Sequence, residues 1–189
     1  MGLFNLFKKE KHVSFRPNPK KTEYENWLDF LDCGGTSKEW ERMKKENNWS
    51  FRESKEEKYV RYQKEIDASA SRYYDLLSKI EKDWSVLYNS KEYNGPLAYQ
   101  FEQDCLTNIE CYKAMRAIDK KHGEKTATNI PAFKRLAMLY EKQGKFEDAI
   151  TVCMQAFKFG MDERSRMTRM IKKVGRTPTA AELKILNKD

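Results

Sequence analysis

The sequence predicts an all-α chain: a short helical solenoid or irregular helical bundle with a C-terminal capping helix. Three observations lead there. No region alternates apolar and polar residues over the length a strand needs. Apolar residues instead recur at spacings of three, four and seven through most of residues 54–174. The runs are punctuated by Gly34-Gly35, Asn94-Gly95-Pro96, Gly123, Gly144 and Gly160, which are turn and helix-end signals.

The elements follow in order. Residues 8–23 mix lysines with Pro17, Asn18 and Pro19 and read as irregular. Residues 22–33, TEYENWLDFLDC, place Trp27, Leu28, Phe30 and Leu31 in a short helix that Gly34-Gly35 stops. Thr36 and Glu39 then form a capping box, in which the hydroxyl accepts from a backbone amide and the carboxylate reaches back. The helix it opens runs to about Asn47, with Trp40 and Met43 three apart. Residues 54–90 make the longest helix. Tyr59, Ile66, Tyr73, Ile80 and Leu87 recur every seven, and Tyr62, Leu76, Leu77 and Trp84 widen the stripe. Ser69 and Asp83 interrupt its inner positions, which favours packing within the chain over a self-associating coil. A second long helix covers Leu97 to Lys121, with Phe101, Cys105, Ile109, Tyr112 and Ile118 on its apolar face, and ends at His122-Gly123.

Residues 130–163 read IPAFKRLAMLYEKQGKFEDAITVCMQAFKFGMDE. Pro131 suits a first helical turn, and two helical runs meet at Gly144. Phe133, Leu136, Ala137 and Tyr140 fall on one face of the first run; Gly144 and Phe146 make the turn; Ala149, Cys153 and Ala156 recur on the second. Alanines at a crossing let two helix axes approach to roughly 8–10 Å. This pattern resembles a tetratricopeptide repeat, a helix–turn–helix of about 34 residues. Cys153 departs mildly, since an aromatic or Leu is commoner there, and Met161 departs further, since Pro often closes the repeat. Residues 96–129 do not match at the same spacing, because Glu102 and Gln103 stand where Leu and a small residue belong. One copy is therefore recognisable, and its neighbours serve as degenerate repeats or caps.

After the repeat, residues 162–174 form a basic amphipathic helix with Met167, Met170, Ile171 and Val174 on one face, read as the cap. Thr179 and Glu182 form another capping box before Leu183 and Leu186. The organisation expected is a basic N-terminal segment with short helices over 1–57, two long antiparallel helices over 58–129, and a tetratricopeptide-like hairpin with capping helices over 130–189.

Composition bounds the function. The chain has 189 residues, 35% of them charged, and a net charge of +8. Its mean hydropathy is −0.91, and no apolar run approaches the ~18–20 residues of a membrane span. The start, MGLFNLFKKEK, has too short an apolar core for a signal peptide, and Leu6 replaces the Ser or Thr of a myristoylation pattern. Cys33, Cys105, Cys111 and Cys153 form no CxxC pair, and His12 and His122 lie at no ligand spacing. Free thiols in a reducing cytosol are expected, hence a cytoplasmic protein with no metal and no cofactor. No P-loop, GxGxxG, GxSxG or HExxH is present, so an enzyme is not expected. Glu141, Glu147 and Asp148 read as a solvated acidic surface. The composition, rich in Lys, Glu, Asn and Tyr, resembles that of bacterial proteins.

Charge is unevenly placed. Residues 1–21 carry +5 and residues 164–176 carry +6, leaving −3 for 22–163. Three binding features result. The tetratricopeptide resemblance implies a binding scaffold that points Lys134, Met138 and Glu141 into a groove for a protein or peptide. Some family members clamp a terminal carboxylate with Lys and Asn; Lys134 is present, but Met138 takes the companion place. Arg164, Arg166, Arg169, Lys172 and Lys173 offer spaced positive charge to an anionic partner such as nucleic acid. Leu3, Phe4, Leu6 and Phe7 beside a lysine cluster offer weak peripheral membrane contact through residues 3–9. The expected function is non-catalytic protein–protein interaction; the alternative is a basic nucleic-acid-associated accessory protein.

Overall fold

A computed structural model describes residues 13–188. Its regular structure, among these residues, is helical: α1 (Glu23–Asp32), α2 (Ser37–Asn47), α3 (Lys55–Ser90), α4 (Pro96–His122), α5 (Pro131–Lys142), α6 (Phe146–Lys158), α7 (Arg164–Val174) and α8 (Ala180–Leu186). The all-α class expected from the periodicities is the class observed. None of the described helices is long and apolar enough to cross a membrane. Leu3, Phe4, Leu6 and Phe7, the residues expected to touch a membrane, lie outside the described residues.

Local chemistry explains where the helices start. Thr36 and Glu39 cap α2, and Thr179 and Glu182 cap α8, each with both reciprocal hydrogen bonds of the box. The same arrangement opens α1 through Thr22 and Glu25. It recurs at α3, where the Ser54 amide donates to Glu57 at 2.7 Å and the Glu57 amide donates to Ser54 Oγ at 3.1 Å. Proline occupies the first turn of α4 and α5, where its missing N–H is no loss. Between α5 and α6 the chain reverses at Gly144, whose φ of +75° suits a residue without Cβ.

The chain divides into two compact units, with the boundary inside α3 between Arg61 and Tyr62. The first unit is built on aromatic rings. Phe30 and Trp40 are almost wholly buried and lie 5.6 Å apart by ring centroid; Phe15, Trp49 and Phe51 close around them. Gly35 is required here, because a Cβ would come 2.2 Å from the Phe30 ring. Phe15 arrives on an extended segment that a buried Asn26 fastens to α1. The Asn26 amide donates to the carbonyls of Asn18, Lys21 and Thr22, and its oxygen accepts from the Asn18 amide at 2.6 Å. A buried side chain satisfied this fully holds rather than weakens its surroundings.

In the second unit the rest of α3 pairs antiparallel with α4. Tyr62 meets Asp119, Glu65 meets Lys121 and His122, Asn108 meets Tyr73, Lys79 meets Asp104, and Trp84 meets Phe101. From Glu65 to Trp84, each step forward on α3 is a step back on α4. Ile66, Tyr73, Ile80, Trp84 and Leu87 of the heptad stripe are buried, while Tyr59 is exposed. The α4–α5, α5–α6 and α6–α7 pairs then pack in sequence order. Ala132, Ala137, Ala149 and Ala156 are fully buried, which is what close helix crossings need. Phe159, just past α6, stacks on Phe133 and sets its edge to Tyr112. The Tyr112 hydroxyl donates to the Ala127 carbonyl at 2.7 Å and pins the loop before α5. Met167, Met170 and Ile171 of α7 are buried against this layer, as expected of a cap.

Candidate functional site

The positions 134, 138 and 141 are spaced by four and three, so α5 carries Lys134, Met138 and Glu141 along one side. Lys134 is exposed, and Met138 and Glu141 are half-buried. The basic positions 166, 169 and 173 on α7 are spaced by three and four and form a matching row. The two rows meet at one carboxylate. Arg166 donates to Glu141 at 2.8 Å, Arg169 at 3.0 and 2.8 Å through two nitrogens, and Lys173 at 3.1 Å. These bonds, led by those of Arg169 and helped by Lys173, hold the Glu141 carboxyl down to about 2. Glu141 is thus an internal ion-pair hub, and only Lys134 and Met138 of the α5 row present side chains without such pairing.

The remaining basic residues of α7 diverge. Arg166 also donates to Glu163 at 3.0 Å. Arg164 turns to Asp162, with nitrogen–oxygen distances of 2.9 and 2.7 Å, and to the Lys188 carbonyl. Lys172 is exposed, with no ion pair among the described residues. Arg176, beyond the helix, makes bidentate contacts with both Glu147 and Glu182, at 2.7–2.8 Å. Arg176 therefore clamps the start of α6 to α8. Its charge holds the nearly buried Glu182 carboxyl down to about 2. The +6 segment counted from sequence is spread over five carboxylates: Glu141, Glu147, Asp162, Glu163 and Glu182. The charge pattern in sequence reveals the cations but not these partners, two of which lie 25 or more residues away.

Of the four free cysteines, Cys105 and Cys153 are buried, Cys111 is half-buried and Cys33 is exposed. Burial pushes the Cys153 thiol up to about 12 and the Cys105 thiol higher still, away from the thiolate a nucleophile requires. His122 sits 3.1 Å from the Glu65 carboxylate and beside the Tyr62 ring. The Tyr140 hydroxyl donates to Glu102 at 2.7 Å, and burial raises its pKa. Among the described residues no three His, Cys, Asp or Glu side chains cluster to hold a metal ion. What the α5–α7 side can do is present a fixed array of charge around a partly exposed thioether.

No family model, curated protein or solved structure matches this chain.

Proposed function

We propose that the second unit is a non-catalytic protein-binding scaffold of tetratricopeptide-like construction, with α5 and α7 as the binding side. The observation that carries this reading is the bridging of α5 to α7 by Glu141, across the hairpin partner α6. First helices of successive repeats line one side of such solenoids, and second helices form the other. Here α5 and α7 are in register as a recognisable first helix and a degenerate one. The buried alanines at the α5–α6 crossing and the reversal at Gly144 support the same reading. Two wholly buried free thiols suit a reducing compartment such as the cytosol.

The alternative reading, a nucleic-acid accessory, needs cations free to displace counterions from phosphates. Of the five basic residues on α7, four already face carboxylates. That favours the protein-binding reading.

The test is affinity capture by the full-length protein from its native host, with and without nuclease, against the double variant Lys134→Ala, Met138→Ala. This variant leaves the Glu141 ion pairs in place. Nuclease-resistant partners that the variant loses, at an unchanged melting temperature, support the scaffold. Partners retained by the variant rule out this side, and loss on nuclease treatment favours the alternative.

A further inference from the structure

The unit ending at Arg61 contains its own concave feature. A groove of about 530 Å³ lies between the first turns of α1, α2 and α3. One wall is Tyr24 and Trp27, one helical turn apart on α1, with ring centroids 5.6 Å apart. Tyr24 is 64% exposed, so most of its ring meets water. Trp40, which is buried, forms the floor, and Glu23, Glu41 and Glu57 supply carboxylates at the rim. Electron-rich ring faces under carboxylates form an environment for an organic cation: the rings attract it through their quadrupoles and cover its aliphatic stem, and the carboxylates supply charge.

Two of the groove's carboxylates already demonstrate that fit with a lysine outside its lining. Glu23 and Glu41, on different helices, converge on one ammonium, that of Lys44, at 2.6 and 3.2 Å. The rim is thus spaced to share an ammonium between two carboxylates. The lining holds three carboxylates, Glu23, Glu41 and Glu57, and no Lys or Arg, so the groove is locally acidic in a chain whose net charge is +8.

We infer that this groove binds a lysine side chain of a basic partner peptide, its stem across Tyr24 and Trp27 and its ammonium shared by Glu23 and Glu41 in place of Lys44. Charge complementarity selects the occupant. The net positive chain repels basic peptides overall, so one that binds does so at a local acidic site. The inference is independent of the α5–α7 surface.

The test uses the full chain and a nine-residue fluorescent peptide alternating Lys and Ala, with a Glu–Ala peptide as control, followed by anisotropy at low and at 0.5 M salt. The Lys peptide is expected to bind saturably and to weaken with salt, and the Glu peptide not to bind here. Tyr24→Ala weakens binding roughly three- to tenfold, as loss of one cation–π wall implies. Glu23→Gln with Glu41→Gln weakens it further. Lys44→Met, which removes the internal competitor, tightens it severalfold, a gain that damage to folding cannot produce. Lys134→Ala with Met138→Ala leaves it unchanged. Equal binding of the two peptides, indifference to Tyr24→Ala, or weakening by Lys44→Met overturns the inference. So does a concentration-dependent dimer abolished by Tyr24→Ala, which would assign the groove to a second copy of this chain.

Discussion

Asn108 on α4 donates its side-chain amide to the Tyr73 carbonyl of α3 at 2.7 Å, inside the apolar seam between the two longest helices. The side chain is wholly buried, and its oxygen has no described partner. This contact marks the register within the buried stripe of a pairing whose margins also carry the Tyr62–Asp119 and Lys79–Asp104 contacts.

Asn108→Asp is expected to cost about 3 kcal/mol or more at pH 7, because it places a carboxylate beside a carbonyl in a buried seam. Burial raises the folded-state pKa of such an acid above its unfolded value. The loss is then smallest below about pH 4 and grows as pH rises through the folded pKa. Urea denaturation at pH 4 and pH 7 measures this; equal losses at both pH values would contradict it. Asn108→Leu removes the unpartnered oxygen together with the donor, and costs less.

Glu141 gives the second unit an acid-labile joint. Its folded pKa, about 2, lies below the ordinary glutamate value of about 4.5. A depressed carboxyl contributes stability that is complete above the unfolded pKa and is lost as pH falls from about 4.5 to about 2. Arg169 and Lys173 are about half exposed, so solvent screening reduces the contribution to about 1–2 kcal/mol. Glu141→Gln should flatten the stability–pH curve in that window. An unchanged slope, read from denaturant midpoints, would show that the ion pairs contribute nothing net.

Ala149→Leu tests the helix crossing. Ala149 is fully buried on α6, in the hairpin with α5. Overpacking of this kind costs typically 1–3 kcal/mol, and more where backbones must separate. Guanidinium titration should show a lower midpoint with helix content retained in dilute buffer. A neutral result would mean that α5 and α6 do not approach closely at this point.

Gly35→Ala is expected to damage the first unit while sparing the second. Its Cβ would fall 2.2 Å from the Phe30 ring, in a buried cluster with Trp40. Near-ultraviolet circular dichroism reports that cluster, and hydrogen exchange of α5 and α6 reports the other unit. Loss of the first signal with unchanged protection of the second is the expected result; loss of both would join the two units into one cooperative whole.

Most helix limits are written in local signals, and those are legible. Thr36 with Glu39, Thr179 with Glu182, Pro131 and Gly144 act within four residues of themselves, so spacing alone locates them. Thr22 with Glu25 and Ser54 with Glu57 carry the same signal in the same form. The buried alanines are legible for a similar reason, because helical periodicity converts sequence distance into a shared face. What sequence conceals is the choice of distant partner. Glu141 looks like any surface acid until α7 comes alongside, 25–32 residues later. Asn26 reads as one polar residue in an amphipathic run, yet it gathers Asn18, Lys21 and Thr22. The aromatic groove needs three helix starts placed around it, and no single stretch encodes that.

The fork of Arg176 has a consequence for how the molecule responds to its solvent. Seven residues are too few for α8 to hold helical shape alone, and Arg176 ties it to α6 through paired carboxylates. Concentrated sulfate screens such ties while strengthening apolar burial. One change of medium therefore acts in opposite directions along the same chain, tightening the alanine-lined hairpin while loosening its last helix.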